Sequence, residues 1–183
     1  MKIGLFFGSF NPIHVGHKII ASYMVEFTDL DKVCFIVSPQ NPEKKKSSLL
    51  DQYHRLHIIR HEIEDDNKLS VSDIEFTMPI PSYTIDTLSV LKEKYPENKY
   101  SLIMGADNIK SLYKWKNYQQ ILKYYRIYVY PREGYKPSLV DKNIFYINDV
   151  PKMEISASFI RASIKEKKDV SYLVPEKAWS YIE

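Results

Sequence analysis

The segment Lys2–His17 has the sequence KIGLFFGSFNPIHVGH, in which an apolar run leads through a loop into a helical pattern. The short apolar run Lys2–Phe7 ends at Gly8, which predicts a buried strand. From Gly16 to about Phe27, apolar residues recur at helical spacing and predict a helix. A buried strand, a loop and a helix in succession indicate the first unit of an α/β domain.

The same alternation of strand and helix continues along the chain. Further strands are predicted at Val33–Val37, Leu69–Phe76, Tyr100–Met104, Arg126–Tyr130 and Ile144–Ile147. Helices are predicted at Leu49–Ile63, Tyr83–Tyr95, Ser156–Lys167 and Pro175–Ile182, with two short helices between Gly105 and Arg126. The segment Gln40–Ser48, with its proline and lysines, is predicted to be a loop. We therefore expect a three-layer α/β fold with a mostly parallel central sheet flanked by helices, formed by residues 1–183 as a single domain.

The composition is typical of a globular protein, with 44% hydrophobic and 27% charged residues among 183, and it argues against a disordered chain. Cys34 is the single cysteine, which excludes an internal disulfide framework and a multi-cysteine zinc site. Its place in a strand predicts a small buried hydrophobic side chain. No apolar run approaches the ~20 residues that cross a bilayer, and the N-terminus lacks a signal-peptide pattern. We therefore expect a cytoplasmic protein without a membrane partner.

The net charge of +3, from 26 basic and 23 acidic residues, is too small to require a polyanionic partner. The segment Lys110–Arg132 nevertheless contains six basic residues, seven aromatic residues and no acidic residue. A basic groove with aromatic platforms would suit a single-stranded nucleic acid. Aromatic residues at helical spacing are more often part of the core, however, so we predict no nucleic-acid partner.

The loop between the first strand and the first helix is the best candidate for a functional site. In parallel α/β sheets, ligands bind beyond the carboxyl ends of the strands, and a helix N-terminus suits phosphate. Gly16 is expected to let the backbone approach a ligand, and it lies between His14 and His17. Imidazole groups can donate hydrogen bonds to phosphate oxygens and stabilise charge in a transition state. Two histidines could also bind zinc, but no third ligand lies nearby in the sequence, which favours phosphate.

The stretch Gly8–His17 resembles the HxGH signature of the nucleotidyltransferase superfamily. A second stretch, Ile155–Arg161, resembles its ISSTxxR motif, with Ala157 in place of the second serine. Ser156 or Ser158 can cap the following helix, and the guanidinium of Arg161 can reach an anion at the same helix end. The resemblance implies a Rossmann-like fold and the transfer of a nucleotidyl group from a nucleoside triphosphate, with release of pyrophosphate.

Within this superfamily, the chain is similar over essentially its whole length to the nicotinate-nucleotide adenylyltransferases. Ser82–Leu88 resembles the SYTxDTL segment of that family, and Gly105–Asp107 followed by Trp115 resembles its GxD…W segment. The resemblance implies that Thr84 helps to hold the pyridine nucleotide and that Trp115 stacks on its ring. The implied reaction is adenylyl transfer from ATP to nicotinate mononucleotide, giving deamido-NAD and pyrophosphate in NAD biosynthesis.

The resemblance also implies a role for each matching residue. The catalytic set is His14, His17, Lys44 and Arg161. The ATP-binding set adds Gly8, Ser9, Phe10, Gly105, Asp107, Ile155, Ser156 and Ser158. The pyridine-nucleotide set is Asn11, Thr84, Trp115 and Arg132. The implied partners are ATP and nicotinate mononucleotide, with Mg²⁺ carried by the ATP phosphates and with no metal site of the protein itself.

Several alternatives stay open at this point. The acceptor could be nicotinamide mononucleotide or phosphopantetheine, although phosphopantetheine adenylyltransferases lack the two pyridine-site segments. A non-catalytic nucleotide sensor would share the fold. A dinucleotide-binding dehydrogenase is disfavoured, because Gly8 and Gly16 lack the Gly-x-Gly-x-x-Gly spacing. The chain departs from the family pattern at Phe7, where many members have glycine, and Lys44 is the best match within the run Lys44–Lys46. A homo-oligomer is neither indicated nor excluded.

Overall fold

The computed structural model describes residues 1–39 and 49–182, and within them six strands form one sheet. The strands are β1 (Lys2–Gly8), β2 (Lys32–Val37), β3 (Leu69–Ser72), β4 (Lys99–Gly105), β5 (Arg126–Tyr130) and β6 (Ile144–Tyr146). Their order is β3-β2-β1-β4-β5-β6, and every neighbouring pair is parallel. The order reverses direction between β1 and β4, which is where sheets of this type bind ligands. The expected Rossmann-like sheet is confirmed.

Helices cover both faces of this sheet. The α-helices are α1 (Val15–Phe27), α2 (Gln52–Glu62), α3 (Thr84–Lys94), α4 (Ala106–Ile109), α5 (Tyr118–Tyr124), α6 (Ala157–Lys165) and α7 (Glu176–Ile182). Short 3₁₀ helices occupy Ile74–Thr77, Leu112–Lys114 and Ser171–Leu173. Adjacent residues of β1 point to opposite faces, so Phe6 packs in the core under α1, α2, α6 and α7, and Leu5 packs in the core under α3, α4 and α5.

The predicted strand Leu69–Phe76 is too long, because β3 ends at Ser72 and a 3₁₀ helix follows. The Ser72 hydroxyl accepts the backbone N–H of Ile74 at 3.2 Å, and this local hydrogen bond turns the chain. The turn allows Glu75, which a continuing strand would leave in the sheet, to point inward to hydroxyl partners.

Two helix boundaries differ from the predicted ones for a clear local reason. The helix predicted from Leu49 begins at Gln52, since Asp51 caps it by accepting the N–H of Tyr53 at 2.9 Å. The helix predicted to end at Lys167 ends at Lys165, and Lys167 itself has a left-handed φ of 58°. The predicted loop Gln40–Ser48, including Lys44, lies outside the described residues.

The aromatic residues of the segment Lys110–Arg132 belong mostly to the core. Five of them are buried or pack against core residues, namely Trp115, Tyr118, Tyr125, Tyr128 and Tyr130. Tyr113 and Tyr124 are exposed. Among the described residues, no helix is long and apolar enough to cross a membrane. Cys34 is only partly buried, and desolvation raises the pKa of its thiol to about 11, so it carries no thiolate at neutral pH.

Candidate active site

The loop that follows β1 is held by the ring of Phe10. Phe10 has a left-handed φ of 45° and is buried, with its ring edge-on to Phe35 at 5.2 Å between centroids. It also makes an edge contact with His17, at 5.1 Å. Because the ring is in the core, we expect Phe10 to contact a ligand only through its backbone. The resemblance implies a role for Phe10 in ATP binding without this distinction between ring and backbone.

His14 and His17 form one unit at the N-terminus of α1. His14 is the N-cap residue, and its backbone N–H donates to Nδ1 of His17 at 3.2 Å. Since Nδ1 of His17 accepts this hydrogen bond, the neutral ring carries its proton on Nε2. The two rings stack with centroids 3.6 Å apart and planes inclined by 22°. The arrangement therefore fixes both the tautomer and the orientation of His17.

His14 is neutral at physiological pH. Its side chain is buried, and desolvation, followed by the nearby positive charge of Arg132, lowers its pKa to about 4. Its buried Nδ1 has no hydrogen-bond partner among the described residues. A buried polar atom without a partner at such a position suits a ligand that would provide one.

Gly16 makes room for the ring of His14. A Cβ on Gly16 would lie 3.1 Å from Nδ1 and 3.2 Å from Cε1 of His14, and 3.6 Å from the terminal methyl of Met153. A side chain there would require the His14 ring to shift by a few tenths of an ångström. Gly16 was expected to let the backbone approach a ligand, and in the structure the group that packs closely against it is the ring of His14.

Arg161 brings the two terminal motifs together. Its Nη1 donates to the carbonyl oxygen of Asn11 at 2.7 Å, across 150 positions of sequence. Its Nη2 donates to Oγ of Ser158 at 3.3 Å. Of the two serines considered as caps, Ser156 is the one that caps α6, since its Oγ accepts the N–H of Phe159 at 3.1 Å. Ser158 orients Arg161 instead.

Asp107 lies just beyond β4, and one of its carboxylate oxygens is placed to accept a hydrogen bond from a ligand. Its Oδ1 is buried, has no hydrogen-bond partner in the described part of the chain, and lies 3.7 Å from Nε of Arg132. A Cβ on Gly105 would come within 2.3 Å of this oxygen, so a side chain there would displace the Asp107 carboxylate. The guanidinium of Arg132 also lies over the ring of Tyr130, 5.6 Å from its centroid. A carboxylate placed in this way can accept hydrogen bonds from ligand hydroxyls.

A cavity of about 960 Å³ opens beside these groups, at the carboxyl ends of β4 and β5. Its walls include Asp107, Arg132, Ile155 and Ser156. A smaller cavity of about 20 Å³ is lined by His14, Gly16 and His17. The two share the wall residues Tyr130, Pro131, Arg132, Met153 and Ile155. The histidine pair therefore adjoins a space large enough for a nucleotide.

The segment predicted to hold a pyridine nucleotide begins α3, with Thr84 as its first residue. Lys116, next to Trp115, pairs with Asp86 at 2.8 Å, and its Nζ lies 5.0 Å from the centroid of the Tyr83 ring. This pair ties the segment that carries Trp115 to the start of the helix that carries Thr84.

Glu75 stabilises the turn that leads into α3, and the sequence patterns did not single it out. Its buried carboxylate accepts hydrogen bonds from Oγ of Ser82 at 2.9 Å and from Oγ1 of Thr87 at 2.7 Å. These two hydroxyls flank the turn that leads to Thr84. The available signal was an acidic residue in a stretch otherwise predicted to be a half-buried strand.

The stability of the fold should depend on pH through His14. The folded pKa of about 4 lies below the unfolded value of 6.5, so the unfolded chain binds more protons between these pH values. The free energy of unfolding should therefore fall as the pH drops from 6.5 toward 4, by on the order of 3 kcal/mol. Denaturant unfolding at pH 7, 6 and 5 measures this loss.

The matched variant for this prediction is His14→Asn, which cannot take up a proton. Its stability should be nearly independent of pH over the same interval. The carboxylate of Asp29, with a pKa lowered to about 2 mainly by the hydroxyl of Tyr128, loses its contribution only below that interval. Equal pH dependence in the two proteins would contradict the assignment to His14.

Comparison with known proteins gives a consistent result. The model of the cytidylyltransferase-like family matches residues 5–163. A protein of Flavobacterium johnsoniae named "probable nicotinate-nucleotide adenylyltransferase" is 53% identical, over 100% of this chain and 96% of its own length. A protein of the same name from Flavobacterium psychrophilum is 51% identical, with the same coverage. The solved structure of Plasmodium falciparum nicotinic acid mononucleotide adenylyltransferase complexed with NaAD superposes with a TM-score of 0.81 at 20% identity, covering 99% of this chain and 94% of that one. This last likeness establishes the fold.

Proposed function

Because the chain belongs to the cytidylyltransferase-like family and, within it, to the nicotinate-nucleotide adenylyltransferases, we propose that it transfers the adenylyl group of ATP to nicotinate mononucleotide. The products are deamido-NAD and pyrophosphate. The observation that carries the proposal is the convergence of His14, His17 and Arg161 on one loop beside the cavity of about 960 Å³. Since ATP is a cytoplasmic metabolite, the cytoplasm is the proposed location.

In the proposed reaction, a phosphate oxygen of the mononucleotide attacks the α-phosphorus of ATP in line. One P–O bond forms there, and the bond from the α-phosphorus to the bridging oxygen of pyrophosphate breaks. A phosphate monoester is already largely ionised at pH 7, so the reaction needs no strong general base. The protein contributes positioning and stabilisation of the charge that develops on the phosphate oxygens.

The histidine pair supplies a fixed hydrogen-bond donor to that charge. The backbone hydrogen bond to Nδ1 of His17 places the ring proton on Nε2, and this N–H is proposed to donate to α- or β-phosphate oxygens in the ATP complex. His14 stacks on this ring as a neutral group, so it places no positive charge against His17. Arg161, together with Lys44, is proposed to neutralise the leaving pyrophosphate. Mg²⁺ enters as part of the ATP complex, and the described residues hold no cluster of three metal ligands.

The two nucleotides are proposed to meet near the histidine pair. The adenosine half is proposed to bind in the large cavity, against Asp107, Ile155 and Ser156. Thr84 and Trp115, on segments joined by the Lys116–Asp86 pair, support binding of the pyridine half. The resemblance implies contacts of Asn11 and Arg132 with the pyridine nucleotide. Arg132 lies beside Asp107 and lines both cavities, so we propose that it acts on the phosphate side, where both substrates meet.

The deciding experiment measures pyrophosphate release from MgATP with nicotinate mononucleotide, nicotinamide mononucleotide or phosphopantetheine as the acceptor. We expect the highest kcat/KM with nicotinate mononucleotide. Equal use of both pyridine nucleotides would support adenylyl transfer and contradict the preference for the nicotinate form. Turnover with phosphopantetheine alone would contradict the proposed acceptor, and silence with all three would favour a nucleotide sensor.

A further inference from the structure

Arg55 lies in the first turn of α2 and is only 1% exposed, although its side chain carries a charge. It donates four hydrogen bonds to backbone carbonyl oxygens: from Nε to Leu50 at 2.8 Å, from Nη1 to Ser9 at 2.6 Å and to Ser38 at 2.9 Å, and from Nη2 to Pro39 at 3.1 Å. These carbonyls lie in three places: Ser9 in the loop after β1, Ser38 and Pro39 just after β2, and Leu50 just before α2. One side chain therefore joins three separate segments beneath the candidate active site.

The guanidinium is chemically suited to this task. It is planar and offers five N–H donors in a fixed fork, whereas a lysine ammonium is a compact charge with three donors. Burial lowers the pKa of Arg55 to about 10, which still leaves it protonated at neutral pH. Four carbonyl dipoles directed at the charge offset the cost of burying it.

The hydrogen bond to Ser9 sets the direction of the loop that carries the active-site residues. The Ser9–Phe10 peptide is trans, so the Phe10 N–H points away from the carbonyl that Arg55 holds. Two residues further on, Oδ1 of Asn11 accepts the N–H of Leu50 at 3.2 Å, and its carbonyl accepts from Arg161. Arg55 and Arg161 thus hold the same short loop at two positions, the carbonyls of Ser9 and Asn11.

We propose that Arg55 is a positioning residue for nucleotidyl transfer, which acts by orienting the loop 9–11 and, through it, the histidine pair. The inference rests on the proposed function for its kinetic effect, but the predicted geometry does not depend on which acceptor is used. Among the described residues, Arg55 donates its hydrogen bonds to backbone carbonyls. Asn11 keeps its own hydrogen bonds with Leu50 and Arg161, so the effect of Arg55 should appear in kcat rather than in the KM for the pyridine nucleotide. A misplaced catalytic group loses rate without a loss of ground-state binding.

The test compares Arg55→Lys with Ile59→Val, a substitution in the buried core of the same helix at an apolar side chain that donates no hydrogen bond to the loop. We expect kcat to fall about 10-fold in Arg55→Lys with the pyridine-nucleotide KM within about twofold of the wild type. Ile59→Val should keep the wild-type kcat at a comparably reduced melting temperature. Arg55→Gln, which keeps hydrogen-bonding capacity without the charge, is measured alongside in case the lysine variant does not fold. A folded Arg55 variant with wild-type kcat, or an equal loss in Ile59→Val, would overturn the proposal.

A second measurement uses no acceptor at all. Nitrogen-15 NMR of the histidine rings reports the tautomer and environment of His17 in the resting protein. The His17 signals should shift in Arg55→Lys, and those of the exposed His57 should not. Unmoved His17 signals would overturn the proposal. If the wild type fails to use nicotinate mononucleotide while these signals do move, the proposed function fails and the positioning role stands.

Discussion

Replacement of His17 with alanine is expected to lower kcat for adenylyl transfer by about 10²–10³-fold, the loss typical of removing one well-placed donor to a developing charge. The effect should be this large because several contacts hold Nε2–H of His17 in one orientation. They include the hydrogen bond from the His14 backbone, the stack on the His14 ring and the edge contact with Phe10. Initial rates of pyrophosphate release at saturating MgATP and nicotinate mononucleotide measure the change.

Two amide variants separate the catalytic role of His17 from its role at the helix end. Asparagine can place an oxygen near the position of Nδ1 and keep the hydrogen bond from His14, so His17→Asn should fold normally and be nearly inactive. Glutamine can place an amide N–H near the position of Nε2, so His17→Gln should recover part of the rate. The control is His57→Ala, on an exposed surface of α2. Near-normal turnover in His17→Ala would refute the mechanism.

The parts of the site that could be predicted from sequence are those in which the chemistry lies within one short segment. The strand, loop and helix of Lys2–Phe27 are predicted from local periodicity, and the structure places His14 and His17 at the helix end as expected. The tautomer of His17 could not be predicted, because it depends on a backbone hydrogen bond whose geometry requires the stacked rings.

The parts that could not be predicted depend on partners far away in the sequence. Glu75 leaves the predicted strand because its hydroxyl partners come from Ser82 and Thr87, after the turn. Arg55 has its carbonyl partners as far away as Ser9, and a charged residue in a helix is ordinarily taken as solvent-exposed. A signal was present, because Arg55 falls four residues before the apolar Ile59 and thus on the buried face of α2.

Arg161 carries the second large effect, and we expect Arg161→Met to lower kcat/KM for ATP by about 10²-fold. The substitution removes a positive charge from the proposed pyrophosphate site and also releases the Asn11 carbonyl that Nη1 holds at 2.7 Å. Arg161→Lys keeps the charge but cannot hold Asn11 and Ser158 with one planar fork, so it should recover only part of the loss. Steady-state kinetics with varied MgATP at saturating nicotinate mononucleotide give the required constants.

Lys165→Met provides the matched control for this prediction. It removes the same unit of charge one turn further along α6, from an exposed position. Exposed charges on a helix surface are screened by salt, so Lys165→Met should stay within about twofold of the wild-type kcat/KM. If the two methionine variants lost activity equally, the effect would come from the overall field of the helix. If Arg161→Met kept wild-type kcat/KM while folded, Arg161 would be a structural link between α6 and the loop after β1, and the charge on the leaving pyrophosphate would have to be met by other cations.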